Sequence, residues 1–374
     1  MSDKGMIPQE RRRRVATAVK KAGAEALLVT HLPDVRYLTG FTGSSAALIV
    51  KGSKITMFTD GRYTTQAANE VDGAKIVITE KPAAVAACEF AVGEGVMKCA
   101  FDAQQTTVET LHKMREALPA KARRSWFVAT SSLVAGLRQV KDEIEQDKMR
   151  EAAAMGCRLF EQVLEEIHPR ATEVEVALAL EFMARLAGAE KMSFDTIVAG
   201  GLRSALPHGK ATNTKLPRRG FVTLDFGVVV DGYCSDMTRT VHLGPARKGE
   251  REVYEAVLDA QLAGVAAVKA GVSGAEVDAA ARDVLEKAGL GESFTHSTGH
   301  GVGLEIHEFP LLGKKREGSR YGDTDAKLKA GMIVTIEPGV YLPGRFGVRI
   351  EDSVLVTATG CEILTPVTKA WIEL

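Results

Sequence analysis

Two aspartates eleven residues apart, Asp225 and Asp236, stand inside the run DFGVVVDGYCSDMTRT, among β-forming neighbours. Carboxylates are disfavoured in strand interiors, so the pair asks for a chemical reason. Asp231-Gly232 is a dipeptide that two-residue hairpin turns favour. With that turn, Val230 pairs with Tyr233, Gly227 with Asp236, and Asp225 with Thr238. Residues 225 and 227 share a face because strand side chains alternate, and directly opposed residues share it too. Asp225 and Asp236 become diagonal neighbours, roughly 7–8 Å between backbones across the two strands, with Gly227 leaving room. On a buried face, two bare carboxylates this close would repel and one would protonate. A cation between them removes the conflict. The alternative, from the hairpin alone, is an exposed face with ordinary charges.

The run TIEPGVYLPGRFGVRIEDSVLV repeats the feature with Glu337 and Glu351. Pro343 and Gly344 in its connection leave the register open. Arg349 and Glu351 are two apart and share a face, so Arg349 either orients a carboxylate of the site or makes a surface salt bridge. Three of the chain's eight histidines, His296, His300 and His307, crowd into THSTGHGVGLEIHE. Ser-Thr-Gly between the first two argues against a helix, and the glycines flanking His300 allow close approach. His300 and His307 are read as functional and His296 as a support. His208, in LPHGK, follows Phe194 much as His307 follows Phe294, so the two histidines are expected at one centre. Four carboxylates with one or two imidazoles suit hard to borderline divalent ions such as Mn²⁺, Co²⁺ or Fe²⁺, unlike a thiolate zinc site. Carboxylates can also bridge two ions about 3.5–4 Å apart that hold a hydroxide and polarise a carbonyl. The glycine run lacks the strand–GxGxxG–helix context of a nucleotide site, and no G-x-S-x-G elbow or strong cysteine nucleophile is present.

The elements that must position these residues fall into two parts. The first alternates helix and strand: a helix over 8–22, the apolar run ALLVTHL, SAALIVKGSKITMFTD with a Gly-Ser turn, a helix from about Arg62, the strand KCAFDA and the helix VETLHKMREAL. This predicts an α/β domain over residues 1–135. The charged segment LRQVKDEIEQD then opens a long helix, and residues 136–374 form the second domain. There one plan is used twice. A long helix from Asp142, a helix opened by the capping box Thr172-x-x-Glu175, SFDTIVAG, PHG and the first acidic hairpin make one half. A helix from Gly249, the capping box Ser273-x-x-Glu276, the histidine segment and the second hairpin make the other. Two related halves are expected to face each other, each giving a hairpin to a shared centre.

The whole chain has 374 residues, with 48 Lys plus Arg against 48 Asp plus Glu. That balance speaks against nucleic acid or an acidic membrane as partner. The run Arg11 to Arg14 is read as the solvated face of the first helix. The N-terminus lacks the apolar core of a signal peptide, and no apolar run nears the roughly 20 residues of a membrane span. The five cysteines are scattered without CxxC, as expected for reduced thiols of a cytoplasmic protein.

Taken together, LDFG…SDMTRT, GHGVGLEIHE, TIEPGVY and GVRIED resemble the metallopeptidase family of Xaa-Pro aminopeptidases and prolidases. YLTGFTGSSAALIV and FTDGRYTTQA resemble the N-terminal domain of its proline-specific members. The resemblance implies an α/β creatinase-like N-terminal domain and an α+β "pita-bread" catalytic domain with pseudo-twofold halves, a fold shared with methionine aminopeptidase and creatinase. It implies two divalent ions, Mn²⁺ first, with Co²⁺, Fe²⁺ or Zn²⁺ as alternatives. Asp225, Asp236, His300, Glu337 and Glu351 match the ligands: Asp236 and Glu351 bridging, Asp225 completing one site, and His300 with Glu337 the other. Glu337 also matches the general base or acid. His208 and His307 match histidines that contact substrate and assist proton movement, and Arg349 an arginine behind the ligands. The implied chemistry is attack by a metal-bound hydroxide on the carbonyl before proline, in a homodimer. The resemblance departs at Leu311, where many dipeptide-specific prolidases carry an arginine for the substrate carboxylate. Unless Arg316 or Arg320 substitutes, the expectation is an Xaa-Pro aminopeptidase acting on longer peptides, with an Xaa-Pro dipeptidase as alternative. Methionine aminopeptidase lacks the N-terminal domain, and creatinase-type enzymes lack the full ligand set. A non-enzymatic peptide-binding protein would be expected to lose ligands, and none is lost here.

Overall fold

The computed structural model describes residues 9–315 and 324–374. The chain divides at Arg138/Gln139 into two units, Met1–Arg138 and Gln139–Leu374. Arg316 and Arg320, offered above as carboxylate binders, lie outside the described residues.

In the first unit the strands are β1 (Ala26–Val29), β2 (Ala47–Lys51), β3 (Lys54–Thr59), β4 (Lys75–Ile78), β5 (Cys99–Asp102) and β6 (Phe127–Thr130). They form one sheet in the order β4-β3-β2-β1-β5-β6. Gly52-Ser53 closes the β2–β3 hairpin as a two-residue turn, because Lys51 pairs with Lys54. Helices α1 (Gln9–Lys21), α2 (Leu32–Thr39), α3 (Thr64–Glu70), α4 (Ala83–Gly93), α5 (Val108–Glu116) and α6 (Leu133–Arg138) complete the alternation. Leu28, Ile49, Phe58, Phe101 and Trp126 meet in one apolar core. The arginine run departs from expectation. Arg11 is 4% exposed, donates to the Tyr37 carbonyl and stacks over the Tyr37 ring. It shares a helix face with Val15 and Val19, so its guanidinium is internal while Arg13 stays in solvent.

The second unit begins with α7 (Glu143–Val163), whose N-terminus is closed by a capping box between Asp142 and Glu145. Its buried Met149, Ala152, Ala153, Gly156, Leu159, Phe160 and Val163 recur at helical spacing. Next comes α8 (Glu173–Leu186), capped by Thr172 and Glu175 as expected. The strands of this half are β7 (Lys191–Met192), β8 (Ile197–Gly200), β9 (Gly220–Phe226), β10 (Val228–Val230), β11 (Tyr233–Cys234) and β12 (Met237–Leu243). The other half repeats the order. It has α9 (Lys248–Ala267) and α10 (Gly274–Lys287), the latter capped by Ser273 and Glu276. Its strands are β13 (Gly299–Gly301), β14 (Glu308–Leu312), β15 (Ile333–Ile336), β16 (Gly339–Leu342), β17 (Phe346–Arg349), β18 (Asp352–Val356) and β19 (Cys361–Ile363). The sheets run β12-β9-β8, β11-β10-β7, β14-β13-β15-β18-β19 and β16-β17.

Both acidic hairpins change sheet partway along. In the first, Asp225 faces Thr238 and Val230 faces Tyr233, the inferred register. Asp231 and Gly232 both have positive φ, 47° and 81°, the geometry of a type I′ turn. The ladder is interrupted where Gly227 and Asp236 were expected to pair, because β9 and β10 belong to different sheets. Gly227 is crossed there by the Ser235 backbone: a Cβ on Gly227 would sit 1.8 Å from the Ser235 carbonyl oxygen. In the second hairpin, β15 pairs with β18 through Ile336 and Asp352, and β16 with β17 from Gly339 and Arg349. Glu337 and Glu351 fall in the gap between those ladders, in the same register. The three residues Pro343, Gly344 and Arg345 form its loop, with Gly344 at φ 73°.

Candidate active site

The first hairpin breaks its ladder at Asp236, two positions along the ladder past the paired Asp225, and the second at Glu337 and Glu351, and the carboxylates converge. Asp225, Asp236 and Glu351 bring carboxylate oxygens within 4.8 Å of one another. Asp236 is 4% and Glu351 2% exposed. Burial, and then the facing Glu351, hold the Asp236 carboxyl well above the ordinary range. Burial, and then the charges of Glu337 and Asp225, do the same to Glu351. Glu337 stands at the open edge of the cluster with 19% of its side chain exposed. Burial pushes it up to about 8, against the pull of Arg349.

Arg349 is the guanidinium that faces this charge, and it is buried. Its Nη2 donates to Asp225 Oδ2 at 2.5 Å and its Nε to Thr238 Oγ1 at 3.1 Å. Thr238 in turn donates to Glu351 Oε2 at 2.6 Å. One arginine therefore fixes a carboxylate from each hairpin, the second through a threonine. The surface salt bridge considered from the sequence is excluded by this burial. Nη1 donates to the Pro207 carbonyl at 3.1 Å and to the Tyr341 hydroxyl at 2.6 Å. Tyr341 lies 2.9 Å from His296 Nε2, and His296 Nδ1 lies 2.8 Å from the Ser297 carbonyl. A carbonyl only accepts, so His296 carries its proton on Nδ1 and accepts from Tyr341 on Nε2. Burial lowers His296 to about 4 and raises Tyr341 to about 12, which keeps both neutral. His296 thus ends a hydrogen-bond chain and, among the described residues, makes no hydrogen bond or ion pair with the carboxylates, the supporting part read from the sequence.

His300 is oriented by the same logic. Its Nδ1 lies 2.9 Å from the Gly301 carbonyl, so Nε2 keeps a lone pair. That nitrogen lies 3.6 Å from Asp236 Oδ2 and 3.5 Å from Glu337 Oε1. Burial, and then neighbouring His307, lower it to about 4, so it is a neutral donor at pH 7. Thr335 fixes the local backbone by accepting from His300 N at 3.0 Å. A Cβ on Gly299 would sit 1.9 Å from the Thr335 carbonyl. His307 is exposed, with its ring centroid 4.4 Å from that of His300. Burial, then the charge of His208, depress it. His208 is exposed beside Pro207. The eight proposed site residues and the supporting His296 therefore gather in one region.

The donor set fits divalent cations. Asp225 Oδ1 is buried with no hydrogen-bond partner among the described residues, an orphan that a cation satisfies. Among the described residues, four carboxylates gather at the Arg349 guanidinium with no cysteine among them. Sequence reasoning missed Thr238, Tyr341 and Thr335. Thr238 had a signal, since it lies two residues from Asp236 in an alternating run.

The model of metallopeptidase family M24 matches residues 147–358, and that of the creatinase/prolidase N-terminal domain matches residues 11–140. The chain belongs to metallopeptidase family M24. The second unit is therefore the family's pita-bread domain, with the first a creatinase/prolidase N-terminal domain. M24 enzymes bind divalent metals, in keeping with the acidic cluster. A relative named Xaa-Pro dipeptidase, from Pyrococcus horikoshii, is 33% identical over 96% of this chain and 97% of its own. The solved structure of an Xaa-Pro dipeptidase from Bacillus anthracis is 40% identical, covers 98% of this chain and 99% of its own, and has a TM-score of 0.91. An X-Pro aminopeptidase from Thermotoga maritima is 33% identical, covers 96% and 100%, and has a TM-score of 0.86.

Proposed function

We propose that this M24 peptidase hydrolyses the bond before proline, with Xaa-Pro dipeptides as its first substrates. The observation that carries the reading is the convergence of Asp225, Asp236 and Glu351 around an orphaned carboxylate oxygen, in a chain whose full-length relatives include named Xaa-Pro dipeptidases. Those relatives favour the dipeptide over the longer peptides expected from the sequence. Leu311 still favours a second reading, an Xaa-Pro aminopeptidase. It sits in β14 directly opposite His300, where an arginine for a dipeptide carboxylate was sought.

Asp225, Asp236, His300, Glu337 and Glu351 would hold two divalent ions, Mn²⁺ first. When bound, such ions polarise a carbonyl and lower the pKa of water. Glu337 is the proton carrier of this reading: it is the cluster's most open carboxylate, placed where it can take and return a proton. Arg349 holds Asp225 directly, and Glu351 through Thr238, so the carboxylates do not turn away as the charge on the substrate changes. His307, beside His300, and His208, whose charge reaches His307, face solvent and would contact the substrate. The substrate's α-ammonium group is attracted to the acidic edge. The scissile bond is a tertiary amide without N–H and its proline φ is fixed, so recognition falls on the carbonyl, amine and ring. The active form is proposed to be a homodimer, which sedimentation equilibrium tests.

The deciding experiment strips the metal, restores Mn²⁺, Co²⁺ or Zn²⁺ separately, and assays Xaa-Pro dipeptides, Xaa-Pro-Xaa tripeptides and N-blocked versions. Metal-dependent cleavage of the free dipeptides is expected. Cleavage of tripeptides alone replaces the first reading with the second. No metal-dependent cleavage of any substrate sinks both.

A further inference from the structure

The charged run that enters α7 contains a buried cation. Lys141 is 2% exposed, and its Nζ lies 3.2 Å from Glu308 Oε2, with the Glu308 side chain 5% exposed. Lys141 is itself held: its N–H donates to the Gly331 carbonyl at 2.8 Å, and its carbonyl accepts from Gln146 at 2.9 Å. Glu308 Oε1 accepts from the Glu305 N–H at 3.2 Å, and the Gly303 N–H donates to the Glu305 carbonyl at 3.0 Å. A Cβ on Gly303 would sit 2.7 Å from both Glu308 carboxylate oxygens. The chain from Gly303 to Glu308 is therefore wound around that carboxylate. His307 is the residue before Glu308, at the start of β14, where consecutive side chains point to opposite faces. Glu308 turns inward to Lys141 while His307 is exposed beside His300.

We propose that the Lys141–Glu308 ion pair is a positioning device for His307. The buried carboxylate organises the 303–308 turn, and Lys141 supplies a charge that holds that carboxylate inside against its pull toward water. Among the described residues the pair makes no hydrogen bond or ion pair to the carboxylate cluster, and both side chains are buried, so it acts on the reaction through where it places the His307 ring. This rests on His307 being the substrate-contacting residue of the preceding section.

The experiment compares Lys141→Met, Glu308→Gln and the double variant, each in wild-type and His307→Ala backgrounds, with Mn²⁺ loaded. Lys141→Met is expected to lower kcat/KM for an Xaa-Pro dipeptide about 10-fold or more, the range for partners behind active groups. In the His307→Ala background the same change should cost less than about twofold, because both act through one ring. The imidazole NMR spectrum, recorded with diamagnetic Zn²⁺ in place of Mn²⁺ because Mn²⁺ broadens nearby rings beyond detection, gives a readout free of peptide cleavage. With eight histidines in the chain, the His307 signal is identified by its loss in His307→Ala. Each single variant should shift or broaden it, and the double variant, which buries no charge, should bring it back. If Lys141→Met does not fold, Glu308→Gln and the double variant carry the same comparison. Equal losses in the two backgrounds, or a His307 signal unmoved by either single change, overturn the proposal. A wild-type protein that cleaves no Xaa-Pro peptide sinks the functional reading and leaves the NMR comparison standing.

Discussion

Stripping the metal should make the catalytic unit lose stability as the pH rises from 6.5 to 8, and restoring Mn²⁺ should abolish that loss. The Glu337 carboxyl is raised from an ordinary 4.5 to about 8. Between those values the folded state binds more protons than the unfolded chain, so stability falls with rising pH. Asp236 and Glu351 are raised as well and act in the same direction. His296 and His300 act in the opposite one: both are lowered from 6.5 to about 4, so below pH 6.5 the folded state binds fewer protons there and stability rises with pH. Above 6.5 the opposing histidine contribution fades, from about half a proton per unfolded imidazole at 6.5 to about a tenth near 7.5, and most unfolded thiols stay protonated up to about pH 8. The carboxylates therefore set the sign of the slope from 6.5 to 8, most cleanly in the upper half of that window. One proton released per pH unit is worth about 1.4 kcal/mol, so Glu337 alone contributes about 2 kcal/mol at most. Because its side chain is 19% exposed, solvent screening leaves about 1 kcal/mol, and each further carboxyl titrating in the window adds a like amount. Bound cations replace the protons and remove the slope. The assay is urea unfolding with and without Mn²⁺, followed at Trp371, which packs on Phe221 and Tyr254 in the catalytic unit. Trp126→Phe removes the other tryptophan. A metal-free stability that is flat or rises across the window refutes the reasoning, as does an equal slope with Mn²⁺ bound or in Glu337→Gln.

Gly227→Ala should cost about 2–3 kcal/mol or more and abolish Mn²⁺ binding. The new methyl meets the Ser235 backbone, and any shift that relieves it drags Asp236; calorimetric titration with Mn²⁺ at near-wild-type affinity would remove Gly227 from this role. Tyr341→Phe deprives Arg349 Nη1 and His296 Nε2 of a shared partner, which should cost about 1–3 kcal/mol and loosen Mn²⁺ binding about tenfold. Unchanged urea stability together with unchanged Mn²⁺ affinity would show that the hydroxyl holds nothing.

The site was legible wherever a local rule fixed geometry. Asp231-Gly232 admits few turns, so the register of the first hairpin, and with it the shared region of Asp225 and Asp236, followed from the sequence. What did not follow was that Gly227 lets the chain change sheet; a one-dimensional pattern shows a free position but not the backbone that fills it. The second hairpin stayed open because Pro343, Gly344 and Arg345 form a loop of a length the dipeptide rule does not cover, and Tyr341 was invisible with it. Arg11 and Lys141 share a different cause. Arg11 was read as solvated with its run and Lys141 carried no reading of its own, yet each is internal because its partner, the Tyr37 carbonyl or Glu308, comes from far along the chain. For Arg11 there was a clue: it stands at helical spacing from Val15 and Val19, on the apolar stripe. The same contrast bears on substrate choice. Leu311 was weighed as a missing arginine in a linear motif, but its strand position opposite His300 shows an apolar side chain paired with the histidine's strand. A dipeptide carboxylate would then have to be met by groups from elsewhere in the chain, as Arg349 meets Asp225 across two hairpins.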